Sequence, residues 1–245
     1  MVELSVFQWI AIFSIGAAII NGLGIFAIFK NKKWAEKSKN YLMCFAAGVL
    51  ISVPLMFALP NALEKTPYAG AAALVGFLFM FFSNQVIRAR TKKKSLAFGI
   101  TAAEGIGIHS FVDGVVYSVM FSASVFIGFL AGIGLVVHEF AEGVIAFSLL
   151  IKSNVQKKKA AFYAFLIASL TTPIGAFVAY PFIRKLSGSN LGLALGFVTG
   201  VLIYLSASHL LPEAQRQTRK NKKHSVIAFL IGVLLALLIV LTKIL

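Results

Sequence analysis

Cysteine and acidic residues are scarce in this chain. Cys44 is the sole cysteine, and only 8 positions are Asp or Glu against 23 that are Lys or Arg. A single thiol cannot close an internal disulfide, and lying inside an apolar run it reads as a small packing residue. No G-x-x-x-x-G-K-[S/T] loop occurs, nor any polar stretch long enough to hold a nucleotide, which argues against ATP-driven work. Linkers and low-complexity tails are also missing, so residues 1–245 read as one domain. Met1-Val-Glu-Leu carries no basic residue ahead of the first apolar run, so that run is expected to stay as a helix rather than leave as a signal peptide. The net charge of +15 would suggest nucleic acid in a soluble protein. Here the basic residues sit in short loops and nowhere interleave with exposed aromatics, so no nucleic-acid partner is expected.

Apolar sequence is what the chain has in abundance: 59% hydrophobic, 13% charged, with a mean hydropathy of +0.91. That balance lies outside the range of soluble domains and predicts an all-α polytopic membrane protein whose main partner is the lipid bilayer. Eight runs are long enough to cross about 30 Å of hydrocarbon. They fall near 6–29, 41–61, 68–87, 96–121, 125–151, 160–182, 191–211 and 226–242. Lys and Arg number five in 30–40, five in 88–95, four in 152–159 and five in 212–224, whereas the alternate loops and ends hold Lys65, Arg184, Lys185 and Lys243. This 19-to-4 split places the basic loops in the cytoplasm and both termini outside, in an integral protein of the cell membrane.

An internal repeat underlies the spans. Gly48 to Ala62 aligns with Gly200 to Ala214, with seven of fifteen positions identical, including the closing Leu-Pro-x-Ala. The two segments belong to the second and seventh runs, which cross in opposite directions. The expectation is therefore a 3+2+3 arrangement in which helices 1–3 and 6–8 form an inverted repeat around helices 4 and 5, as in secondary transporters. Glycines four apart (Gly192, Gly196 and Gly200; Gly128 and Gly132) fit either close packing within one subunit or the seam of a homodimer.

The two central helices carry the chemistry. His109-Ser-Phe-Val-Asp113-Gly114 recurs 29 residues later as His138-Glu-Phe-Ala-Glu142-Gly143. On a helical wheel Asp113 lies about 40° from His109, Glu142 about 40° from His138, and Glu139 about 100° from His138. A carboxylate in a membrane helix costs roughly 2.5–3.5 kcal/mol or more unless it is paired or faces the interior. Five such groups at repeated spacing therefore point to a shared cation. Imidazole and carboxylate without thiolate suit Zn²⁺, Fe²⁺, Mn²⁺ or Cd²⁺ and argue against Cu⁺. The candidate metal residues are His109, Asp113, His138, Glu139 and Glu142.

His-x-x-x-[Asp/Glu]-Gly followed by His-Glu-x-x-Glu-Gly resembles the signature of the ZIP (Zrt/Irt-like) metal transporters. The eight spans and the Leu-Pro-x-Ala ends of helices 2 and 7 are similar to that family along essentially the whole chain. The resemblance implies a 3+2+3 bundle that moves divalent metal towards the cytoplasm, with these five residues as its ligands and no cofactor beyond the metal carried. It also implies that Ser110 and Thr172 stand where the family often has Asn and Glu at a second metal, which suggests a weak second site or none. In the same resemblance His209 and Glu213, at the end of helix 7, lie along the exit route. Pro before each motif's acid is replaced here by Val112 and Ala141, leaving Gly114 and Gly143 as the expected local helix breaks. Transport would proceed by loss of water onto the midplane ligands and inward exposure through movement of one helix group against the other. The alternative is an intramembrane metal-dependent hydrolase: His138-Glu139 opens like H-E-x-x-H, but Glu142 stands in place of the second histidine.

Overall fold

A computed structural model describes residues 4–90, 96–212 and 222–244, without the side chains of 87, 88, 90, 96–104, 209, 222 and 239–244. Among the described residues every regular element is helical. The helices are α1 (Val6–Lys30), α2 (Lys32–Lys65), α3 (Ala69–Arg90), α4 (Leu96–Ala123), α5 (Val125–Lys152), α6 (Lys157–Ile183), α7 (Gly188–Tyr204 extended by Leu205–Leu210) and α8 (Lys222–Ile244); among the described residues seven are long and apolar enough to cross a membrane, and α8 holds a shorter apolar stretch, Lys223–Leu238. The chain is thus a polytopic helical membrane protein. In α1, Ile12, Ile15, Ile19, Leu23 and Phe26 recur at helical spacing on the exposed side, while Ser14, Ala17, Ala18, Asn21 and Gly24 are buried. Large apolar groups outside and small or polar ones inside are what lipid, rather than water, selects.

Helix ends depart from the apolar runs. The segment 30–40, expected as a loop, is helical from Lys32 onward and broken only at Asn31, whose side chain accepts from the Trp34 amide at 3.1 Å. Hydropathy marks where side chains leave the lipid. The helix itself continues through Lys, Ala and Glu, which favour it, until a cap intervenes. At the end of α5 that cap is Asn154, at φ 62°, with Val155 N–H bonded to the Leu150 carbonyl and Asn154 N–H to that of Ile151. Gly114 and Gly143 do not break their helices, since α4 and α5 run through both without interruption. In a membrane helix a glycine with its backbone bonds intact removes side-chain bulk and so admits a neighbour.

Among the described residues, three helices contain π-helical segments: Pro54–Ala58 in α2, Phe165–Ser169 in α6 and Leu205–Leu210 in α7. Each lies at or just before a proline (Pro54, Pro173, Pro212), where a missing N–H leaves the ladder to re-form. The segments in α2 and α7 fall at matching positions of the sequence repeat.

The residues group into two compact units. One comprises Met1–Lys39, Phe82–Ser118 and Val136–Pro181, which gathers α1, α6 and the motif-bearing parts of α4 and α5. Its helices are drawn together by glycines in reciprocal pairs. A Cβ on Gly114 would meet the backbone of Thr172 to Ala176 on α6, and one on Gly175 would meet the backbone of Phe111 on α4. Gly143 of α5 and Gly24 of α1 stand in the same relation to the backbones of Asn21 and Phe140. The other unit comprises Asn40–Phe81, Val119–Leu135 and Phe182–Leu245. In it Gly192, Gly196 and Gly200 pack on Ala62 to Thr66, Ala69 and Ala73, so this glycine stripe is occupied within the subunit. Cys44 is buried in the same unit, as expected of a packing residue.

Candidate metal centre

The repeated motif delivers four donors to one point inside the first unit. His109 and Asp113 come from α4, His138 and Glu142 from α5, and one ligand atom from each lies within 4.8 Å of every other. His109 Nε2 stands 3.0 Å from Glu142 Oε1 and 3.6 Å from Asp113 Oδ2. His138 Nε2 stands 3.3 Å from Asp113 Oδ2 and 3.5 Å from Glu142 Oε1. A tetrahedral zinc site with bonds of about 2.0–2.1 Å needs donor-to-donor edges of roughly 3.3 Å, and these four separations scatter around that length. The two rings are nearly perpendicular, at 87°, with centroids 6.2 Å apart, so their nitrogens converge without stacking.

Burial makes the arrangement costly without a cation. His138 and Asp113 are 0% and 1% exposed, and Asp113 Oδ1 is buried with no hydrogen-bond partner while Oδ2 has only the two imidazoles beside it. An orphaned carboxylate oxygen in a protein interior is rare because its desolvation penalty goes unmet. Two neutral imidazoles and two carboxylates carry two negative charges, which balance one divalent ion. The donor set therefore fits a transition metal, with Zn²⁺ well matched.

Ser110 lies outside the ligand atoms but supports one of them. Its hydroxyl donates to Glu142 Oε2 at 3.0 Å, which leaves Oε1 turned towards the two histidines. Supports of this kind fix ligand orientation.

Glu139 is placed differently from the other four. Fully buried, it accepts at Oε2 from Asn21 Nδ2 (2.7 Å) and at Oε1 from Thr172 Oγ1 (2.8 Å). Ser169 Oγ in turn donates to Asn21 Oδ1 at 2.9 Å. The hundred-degree offset on the wheel is the physical reason: the same helix that aims His138 and Glu142 at α4 aims Glu139 towards α1 and α6. Thr172 thus sits beside Glu139 rather than in the four-residue cluster. Asn21 and Ser169 were not among the sequence candidates, although an asparagine in the middle of the first apolar run was a usable signal. Glu213 lies outside the described residues, as does the side chain of His209. The hydrolase alternative loses its general base, because a Glu with both oxygens already accepting hydrogen bonds, and outside the ligand cluster, is not set to activate a metal-bound water.

Residues 90–240 match the family model described as ZIP Zinc transporter. "Zinc transporter ZupT" of Chlorobium chlorochromatii (strain CaD3) is 30% identical over 228 residues, covering 81% of this chain and 85% of that protein. The protein of the same name from Chlorobaculum parvum (strain DSM 263 / NCIMB 8327) is 29% identical over 250 residues, covering 90% and 92%. That from Chlorobium luteolum (strain DSM 273 / BCRC 81028 / 2530) is 31% identical over 241 residues, covering 86% and 90%.

Proposed function

The chain belongs to the ZIP zinc transporter family, and from that premise we propose that it carries divalent transition metal, zinc foremost, across the cell membrane into the cytoplasm. It is a transporter and not an enzyme, and the metal is its cargo. The observation that carries the reading is the buried tetrad His109, Asp113, His138 and Glu142, with nitrogen-to-oxygen separations of 3.0–3.6 Å. Its two negative charges replace the water that a divalent ion sheds, and its imidazoles favour Zn²⁺ over Mg²⁺ or Ca²⁺.

Both termini face outside, a reading supported by the 19-to-4 split of basic residues. Residues 1–245 act as a single transmembrane domain with a 3+2+3 plan and an inverted repeat. The matching π-helical segments of α2 and α7 support that plan. The metal is taken up from outside, held at the tetrad and released inward by alternating access, past His209 and Glu213. Purified protein in liposomes with an internal metal-sensitive dye tests this. Zn²⁺ added outside should raise the signal, with Fe²⁺, Mn²⁺ and Cd²⁺ ranking behind it. No signal above protein-free liposomes would overturn the reading.

A further inference from the structure

We propose that Asn21 is a positioning residue that holds Glu139 away from the transported ion and thereby keeps that ion to the four ligands of the tetrad. The proposal rests on the reading that the tetrad binds cargo. A third carboxylate one residue from a ligand histidine would ordinarily join a divalent ion or bridge it to a second. Here both Glu139 oxygens are held by donors at 2.7 and 2.8 Å, one from α1 and one from α6.

The orientation of the Asn21 amide follows from its other partner. Ser169 Oγ donates to Oδ1 at 2.9 Å, which leaves Nδ2 facing Glu139; the flipped amide would set two acceptor oxygens against each other. Asn21, Ser169 and Thr172 are each 0% exposed, so no water competes for these bonds. Reach is provided by the backbone. Gly143 lets α1 approach α5 at Asn21, where any Cβ would strike the Asn21 carbonyl and come within 2.9 Å of its Oδ1. The final glycine of the second motif thus brings in the residue that restrains the motif's spare carboxylate. With Glu139 turned towards Asn21 and Thr172, two carboxylates remain for the ion.

Asn21→Asp turns the donor into a second carboxylate facing Glu139 and should recruit a second cation. Asn21→Leu removes the donor at similar volume and should free Glu139 to enter the coordination sphere of the first. The full-length protein in detergent is titrated with Co²⁺, reading bound equivalents by equilibrium dialysis and coordination from the visible absorption. Wild type should bind one equivalent with the intense bands of four-coordinate cobalt. Asn21→Asp should approach two, and Asn21→Leu should keep one with bands weakened as the coordination number rises. Ser169→Ala, a milder change that leaves Asn21 unanchored, should weaken the bands in the same direction, and it decides the matter if the Asn21 variants do not fold. One equivalent and an unchanged spectrum in the variants that fold would overturn the role of Asn21 while leaving the tetrad intact. Wild type binding no Co²⁺, or binding it undiminished in His109→Ala, would overturn the transport-site reading itself.

Discussion

Removing the Ser110 hydroxyl isolates how much the support of a ligand contributes, because Ser110 touches Glu142 and not the cluster of ligand atoms. The bond is buried, 3.0 Å long, and made to a carboxylate. Hydrogen bonds to charged groups contribute about 1.5–3 kcal/mol, or roughly 10- to 150-fold in a binding constant. Outer supports of metal ligands typically change affinity by about 10–100-fold. Ser110→Ala should therefore weaken Zn²⁺ binding by about 10–100-fold, since Glu142 then rotates freely and its Oε1 must be ordered by the ion itself. Only an oxygen atom is lost, so the variant should fold, with a lower melting temperature because Glu142 Oε2 is left buried without that donor. Competition of the purified protein against a chromophoric chelator measures the affinity, and flux in liposomes should show the same loss as a higher half-saturating concentration. Affinity within about threefold of wild type would refute the reasoning and mean that the α4 and α5 backbones alone orient Glu142.

Other perturbations reach different parts of the account. Asp113→Ala and Glu142→Ala should each abolish metal flux in liposomes while leaving a monodisperse helical protein, because one remaining carboxylate cannot balance a buried divalent ion. Gly143→Ala and Gly114→Ala each drive a methyl group into a neighbouring backbone and should destabilise by about 1–3 kcal/mol, seen as a lower melting temperature in detergent. Gly16→Ala, where nothing lies within 4 Å of the new methyl, should not. Thr172→Glu sets a carboxylate beside Glu139 and should raise bound metal from one equivalent towards two by dialysis. In a Cys44→Ser background, a cysteine at Lys185 should react with an impermeant thiol reagent in intact cells and one at Lys158 should not; the reverse pattern would invert the topology.

The residues that could be read from sequence are those whose physics is local. The helices followed from apolar length, and the grouping of His109, Asp113, His138 and Glu142 followed from a His and an acid four apart on two helices, which any α-helix must place on one face. Helix ends did not follow, because Lys32 to Lys39 is polar yet helix-forming. The glycines of the motifs read as breaks, since sequence does not show that another backbone is waiting at Gly114 and Gly143. Glu139 illustrates the limit most clearly. Its wheel angle already separated it from His138, but what it turns towards is contributed by Asn21 and Thr172, 118 and 33 residues away. Only the folded arrangement of α1 and α6 shows that this carboxylate has other partners.

X-ray absorption at the zinc edge of the purified, Zn²⁺-loaded protein tests the central claim most directly. Two imidazole nitrogens and two carboxylate oxygens at about 2.0–2.1 Å are predicted around one zinc per chain, with the imidazole scattering halved in His138→Ala. A zinc environment without imidazole, or one unchanged in His138→Ala, would contradict the assignment of the tetrad as the place where the transported ion is held.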